Sequence, residues 1–295
     1  MLNLEWLAEL HAAHSDDFQS EVQNFDIGGR CFDFNKAPLI MGVVNLSKDS
    51  WYRESVCLQQ EQAVRRANIL MAQGADLIDV GAESTLSHAS LVQQEEQWRK
   101  LNPVIETILG QGGIVSLETY NAELARRALD SGVQVINLTG NKDSKEIYRL
   151  CADHDAAVVI CFVQGANVRS VKNLELGADP IQEMKQWFET EIESAREAGV
   201  QRIFIDPGLG FYYSNLEDGA TRVKYQMRTF LNTFRLRKLG WPVCHALPHS
   251  FETFGEEVRT AESFFAILAL LGKTDLLRTH EVSKIKAVVD TLKLF

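Results

Sequence analysis

Nothing in the 295-residue chain approaches the run of about 18 apolar residues that a membrane-spanning helix requires. Its start, Met1–His14, carries Glu5 and Glu9 and lacks a basic stretch leading into an apolar one, so it does not read as a secretory signal. Cysteine is scarce: Cys31, Cys57, Cys151, Cys161 and Cys244 are scattered, odd in number and contain no CxxC. That usage points to unpaired thiols in a reducing cytoplasm. Positive charge is outnumbered, with 30 Lys and Arg against 40 Asp and Glu and a net charge of −10. This argues against nonspecific binding to nucleic acid or an anionic membrane. It leaves open a small anionic substrate, because a site can be locally basic. No linker or low-complexity tract interrupts the chain.

What is present is an ordinary globular composition, 45% hydrophobic and 24% charged, with a marked rhythm. Residues 1–20 read as a short amphipathic helix with Leu2, Leu4, Trp6, Leu7 and Leu10 as its apolar positions. Two apolar arms around Gly28-Gly29, within residues 25–34, read as a β-hairpin that could plug one mouth of a barrel. Eight short apolar runs follow: Leu39–Val44, Leu77–Val80, Ile114–Leu117, Val133–Ile136, Ala156–Phe162, Ile203–Ile205, Pro242–Ala246 and Asp275–Leu277. Continuous apolar runs suit parallel strands buried on both faces. Helical patterns lie between them at Glu61–Gln73, Glu95–Leu109, Ala122–Ser131, Ile181–Ala198, Tyr225–Leu239 and Ala261–Leu271. Several are followed by glycine, at 74, 132, 199, 240 and 272, where a left-handed C-terminal cap is expected. Eightfold strand–helix alternation predicts an α/β fold: a single (β/α)8 TIM barrel over residues 38–295, with a helix and hairpin extension over 1–37. A doubly wound open sheet is the alternative.

Functional residues in such a barrel gather at the C-terminal strand ends. The groups there are Asn45; Gly81 with Asp79 just inside the strand; Glu118-Thr119; Asn137; Gln164-Gly165; Asp206-Pro-Gly; His245 followed by LPHSF; and Arg278-Thr-His280. Any one has a bland reading, a turn for Asp-Pro-Gly or a cap for either asparagine. Convergence at all eight is harder to dismiss. Asp206 and Glu118 can accept paired N–H bonds from an amino-substituted heterocycle, and Asn137 can donate and accept. Arg278 and His280, two apart, should share a side and grip an anion such as phosphate. Asn45 could give a neutral oxygen to that anion's metal.

Several stretches resemble dihydropteroate synthases. IMGVVNLSKDSWY resembles their first signature and GADLIDVGAEST their second. The wording at Val115–Tyr120, INLTG at 136–140, IDPGLGF at 205–211 and RTHEV at 278–282 follows in the same order. The resemblance covers about residues 38 to 295. It implies that Glu118, Asn137 and Asp206 hold a pterin ring. It implies that Asn45, Arg278 and His280 bind a diphosphate leaving group, with Mg²⁺ near Asn45. Asp49 and Ser50, with Glu83, Ser84 and Thr85, would close over the site. Loss of diphosphate would expose an electrophilic methylene to an amine, so catalysis would rest on positioning and stabilisation of departing charge.

The departures bear on the acceptor. Glu118 stands where the family usually has Asp, and Leu86 where it has Arg. Leu247-Pro248-His249-Ser250-Phe251 replaces its Ser-Arg-Lys-Ser-Phe. His249 and Ser250 are then the candidate substrate contacts after the seventh barrel strand. A transferase with an altered acceptor site is the favoured reading. A folate or tetrahydropterin methyltransferase and a non-catalytic pterin-binding protein are the alternatives. His245 and His249 also invite a metal reading at HxxxH spacing, which Pro248 opposes. Phe264-Phe265 and the last helix, Val282–Phe295, could form the homodimer face that the resemblance implies, or simply pack on the barrel.

Overall fold

The computed structural model describes residues 1–47, 56–57, 59–83, 92–165, 167, 173–174, 177, 179–211, 213, 216, 218–248 and 250–294. In chain order, α1 (Leu4–Ala13) and α2 (Ser15–Phe18) precede a hairpin of β1 (Phe25–Ile27) and β2 (Arg30–Phe32). The alternation then runs β3 (Leu39–Asn45), α3 (Gln60–Ala72), β4 (Leu77–Gly81), α4 (Gln94–Gly110), β5 (Val115–Thr119), α5 (Ala122–Asp130) and β6 (Val135–Leu138). It continues through α6 (Ser144–Asp153), β7 (Ala157–Cys161), α7 (Pro180–Glu197), β8 (Ile203–Asp206), α8 (Gly219–Leu231) and β9 (Cys244–Ala246). It ends with α9 (Phe251–Phe254), α10 (Val258–Leu271), β10 (Leu276–Thr279) and α11 (Val282–Leu292). No helix among the described residues is long and apolar enough to cross a membrane.

The eight strands from β3 to β10 form one parallel sheet in the order β8-β7-β6-β5-β4-β3-β10-β9. A parallel bridge between Ile205 and Val243 brings the two ends together, with the Ile205 N–H donating to the Pro242 carbonyl at 3.1 Å. The expected (β/α)8 barrel is therefore the fold. Register decides what faces inward, because paired residues of neighbouring parallel strands share a face. Asp79 pairs with Ser116, Glu118 with Asn137, Cys161 with Asp206, and Arg278 with Met41 and Ala246. The opposite face of each strand sinks into the helical layer, where residues such as Ile78, Leu117, Ile136, Ile160 and Leu277 are buried.

The hairpin stoppers the N-terminal end of the barrel. Gly28 and Gly29 both have positive φ, 56° and 77°, the combination a two-residue turn of this hand needs. Just beyond the strands, Phe34 joins Phe25, and their rings stand 5.3 and 5.1 Å from Phe204 of β8. Arg202 fastens the plug, donating to the Asp26 carbonyl at 2.7 Å and to Asp26 Oδ1 at 2.9 Å.

Some local expectations need correction. The helix expected over 1–20 breaks at His14, although Asn3 caps its start by accepting from Trp6 N at 2.9 Å. The helix expected over Tyr225–Leu239 starts earlier and stops at Leu231, then passes into two 3-10 turns. There Asn232 Nδ2 and Thr233 Oγ1 bond back to the carbonyls of Arg228 and Thr229, competing with the helical ladder. Helix α6 had no counterpart in the expected pattern. Gly272 is not the left-handed cap: its φ is −85°, and Lys273 carries the positive value of 63°. A Cβ on Gly272 would lie 1.8 Å from the Phe230 carbonyl oxygen, so glycine is there to let α10 end against α8.

Candidate active site

Four strand-end side chains meet inside the C-terminal mouth around one guanidinium. Arg278 Nε donates to Asp79 Oδ2 at 2.7 Å, and Nη2 donates to Glu118 Oε2 at 2.5 Å. Asp79 is wholly buried and also accepts from Ser116 Oγ at 2.6 Å and from Asn137 Nδ2 at 3.2 Å. The Cys161 thiol reaches Asn137 Oδ1 at 3.5 Å. Asp206, 4% exposed, accepts from the Gly208 N–H at 2.7 Å, and the Cys244 thiol lies beside it.

Three carboxylates thus crowd one cation at a largely buried site, and their ionisation responds. Burial pushes Glu118 up to about 7; Arg278 opposes the shift, and the charges of Asp79, Asp206 and Glu83 add to it. Burial likewise pushes Asp206 up to about 6, against the pull of the Gly208 N–H and Arg278. Burial, with Asp206 and Asp79 adding to it, holds the thiols of Cys161 and Cys244 well above their usual range, so both remain protonated. Near neutral pH Glu118 is therefore close to half-protonation, while Asp206 is mostly ionised.

Glu118 explains its own extra methylene. It sits beside Gly81, where a Cβ would approach Glu118 Cβ at 3.5 Å, and it extends to Arg278 rather than ending short of it. Next to it, Glu83 is held by Tyr120 Oη at 2.5 Å and by the Val92 N–H at 3.1 Å. A cavity of about 580 Å³ opens beside these groups, lined also by Gln97, Asn121 and Thr139.

Of the residues expected from the sequence, Glu118, Asn137, Asp206 and Arg278 converge here. Asn45 ends β3 opposite Gly81 and is half-buried, its carbonyl accepting from the Cys57 N–H at 2.8 Å. Ser250 is fully buried at the start of α9, and its Oγ has no hydrogen-bond partner among the described residues. Asp49, Thr85 and His249 lie outside the described residues.

Arg278 and His280 are held by different partners rather than by a shared strand face. Strand β10 ends at Thr279, so the two-residue spacing no longer fixes a shared side. Arg278 turns onto Asp79 and Glu118, while His280 Nδ1 lies 3.0 Å from Glu262 of α10. His245 also faces away from the mouth, since the inward residues of β9 are Cys244 and Ala246. Its Nε2 lies 2.8 Å from Thr233 Oγ1, its ring meets Phe230 edge-on at 4.9 Å, and burial holds it down to about 3. That places it in the helical layer and removes it from any metal pair with His249.

Two participants were not assigned roles from the sequence. Asp79 was visible at a strand end, but only the structure shows that it anchors Arg278. Glu262 had a signal that went unread: a lone acid in the apolar helix VRTAESFFAILALL, on the stripe shared with Ala261 and Phe265.

A closed barrel that collects buried acids, an amide and a guanidinium at one mouth is an enzyme of the (β/α)8 class, with its site where that class keeps it. The chain belongs to the pterin binding enzyme family, whose pattern it matches over residues 41–270, and it is a transferase of the dihydropteroate synthase type. It is 30% identical over 222 residues to a dihydropteroate synthase of Synechocystis, covering 74% of this chain and 73% of that one. The Xanthomonas albilineans dihydropteroate synthase solved with 4-aminobenzoic acid superposes with a TM-score of 0.76 at 28% identity, over 92% of this chain and 97% of that one. The Thermus thermophilus synthase in complex with 6HMPPP gives 0.72 at 26% identity, over 92% of this chain and all of that one.

Proposed function

We propose that the protein joins a pterin, delivered as its hydroxymethyl diphosphate ester, to an amine acceptor other than the family's usual aminobenzoate. The observation that carries this reading is the buried set Asp206, Asn137 and Glu118 at the strand ends. A 2-amino-4-oxo heterocycle presents adjacent N–H donors and a carbonyl, and such an edge matches a carboxylate beside an amide. Asp206 takes the paired N–H donors, and Asn137 and Glu118 hold the ring from its other side.

The ester bond between the methylene carbon and diphosphate oxygen breaks, and its electron pair leaves with diphosphate. The amine nitrogen then bonds to that carbon and gives up a proton to solvent. Positioning and stabilisation of the departing charge are what the protein contributes. Arg278 has donors beyond the two it directs at Asp79 and Glu118, and together with His280 it stabilises the departing anion. Mg²⁺, when bound, would neutralise diphosphate charge. Such an ion keeps waters and substrate oxygens as its main ligands, and the single amide oxygen of Asn45 fits that role.

Ser250, whose buried Oγ has no partner among the described residues, is the described residue best suited to meet the acceptor. His249, Thr85 and Asp49 complete the site from the loops. Two copies pair through α10, where Phe264, Ile267 and Leu271 remain 39–48% exposed at helical spacing. Phe265 is buried and takes no part.

Calorimetry with 6-hydroxymethyl-7,8-dihydropterin diphosphate and Mg²⁺, followed by p-aminobenzoate and an assay for diphosphate release, tests this reading. Binding is expected, with release slow until another amine is supplied. Absence of binding overturns the proposal. Binding without release for any amine moves the protein to a pterin-holding role.

A further inference from the structure

Glu262 lies outside the strand-end set, yet its carboxylate is fully buried and occupied on several sides by one short segment. The Thr279 hydroxyl donates to its Oε2. The His280 N–H donates to the same oxygen at 3.1 Å, and the Glu281 N–H does so at 3.3 Å. His280 Nδ1 lies 3.0 Å from Oε1. The segment is held from other directions too: Arg66 Nη2 donates to the His280 carbonyl at 2.5 Å, and Arg259 Nε donates to Glu281 Oε1 at 2.5 Å.

A carboxylate accepts and does not donate. The 3.0 Å contact therefore needs a hydrogen on His280 Nδ1, whether the ring is neutral or cationic. With Nδ1–H spoken for, the ring takes up or releases a proton only at Nε2. The three other donors to Glu262 fix its carboxylate, so the ring's rotation is fixed along with its tautomer.

We propose that Glu262 is a positioning residue: it holds His280 as an Nδ1–H donor, so that Nε2 is the nitrogen that gains a proton and meets the anionic leaving group. The part concerning the leaving group rests on the function proposed above; the tautomer does not. Glu262 is a negative charge close to a proposed anion site. If it acted through charge alone, neutralising it would strengthen anion binding. If it acts through position, neutralising it weakens binding, because a glutamine amide can donate to Nδ1 as readily as accept from it.

The test uses the full chain carrying ¹⁵N-histidine, as wild type, Glu262→Gln and Glu262→Asp. Proton-coupled ¹⁵N spectra assign the tautomer of His280, with His280→Gln identifying its signals, and inorganic diphosphate with Mg²⁺ is titrated by calorimetry. In the wild type, Nδ1 is expected to stay protonated throughout, with Nε2 gaining a proton as diphosphate binds. In Glu262→Gln the Nδ1–H form should give way to a mixture, and diphosphate should bind about tenfold more weakly, the gap between a hydrogen bond to a charged group and one to a neutral group. Glu262→Asp, which keeps the acceptor charge at shorter reach, should retain the Nδ1–H form with an intermediate affinity. Melting curves of each variant show that the fold is intact. An unchanged His280 spectrum in Glu262→Gln overturns the inference, as does tighter diphosphate binding. If the wild type binds no diphosphate, the proposed function fails, and the spectra alone still decide the role of Glu262.

Discussion

Replacing Arg278 with methionine asks whether the mouth of the barrel is held together by charge. Methionine keeps much of the apolar stem and removes the guanidinium that contacts Asp79 at 2.7 Å and Glu118 at 2.5 Å. Asp79 is fully buried and Glu118 is 12% exposed at its side chain, so water cannot replace the lost cation. Breaking a buried pair in this way costs about 3–5 kcal/mol. The cost exists only while the acids are ionised. Glu118 stands at about 7 with Arg278 pulling it down, so its pKa rises further in the variant and it is neutral at pH 5. Urea unfolding followed by circular dichroism should therefore show a loss of about 3–5 kcal/mol at pH 8. With a slope of about 3 kcal/mol/M, that moves the midpoint by roughly 1–1.7 M. At pH 5 the loss should fall to roughly half. Adding Asp79→Asn should recover part of the pH 8 loss. An equal loss at both pH values would refute the reasoning, because the damage would then be one of packing.

The same buried acids set further expectations. Asp206→Asn should weaken binding of a pterin about a hundredfold, since charge-assisted hydrogen bonds are worth about 1.5–3 kcal/mol each. It should also raise the melting temperature at pH 8. Asp206 titrates at about 6 when folded against 3.8 otherwise, so the stability it contributes is present below 3.8 and lost as pH rises through 6. Calorimetry beside a melting curve checks both, and a variant that both binds normally and melts normally would remove Asp206 from the site. His245 slopes the other way: a base held at about 3 when folded supports stability above 6.5 and loses it as pH falls. His245→Gln should abolish roughly 2–3 kcal/mol of the stability lost between pH 6.5 and 4.5. Parallel pH curves for variant and wild type would count against that account. Gly272→Ala should destabilise by roughly 3 kcal/mol or more through collision with the Phe230 carbonyl, and a melting temperature within a degree of wild type would show that α10 can move aside.

The barrel was legible because its signal is physical and repeated. Strands buried on both faces must be apolar throughout, and each of the eight runs overlaps one of β3 to β10. The hairpin was legible for a related reason, since Gly28-Gly29 between apolar arms leaves few alternatives. Helix α6 left a weaker trace, with Ile147, Leu150 and Cys151 as brief apolar cues among polar neighbours. Gly272 shows the limit of reading caps from glycine: the residue serves a close approach whose partner, Phe230, lies far off in the chain. At the site, residue types were readable from strand ends, while directions were not. Nothing local says that Arg278 turns onto Asp79, because that choice depends on which acids two other strands bring within reach. Glu262 belongs to the same class of fact: its helix shows an acid on an apolar stripe, and only the fold reveals that it faces the segment after β10.

The aromatic stopper formed by Phe25, Phe34 and Phe204 continues the packed core of the barrel to its N-terminal end, which leaves the C-terminal mouth as the way in, as in a vessel with one opening. Traffic through a tube can be continuous, with reactants entering at one end and products leaving at the other; traffic in a vessel is last in, first out. On the function proposed above, a ring settled on Asp206 would be covered by whatever follows, so depth would impose a schedule on the chemistry above it.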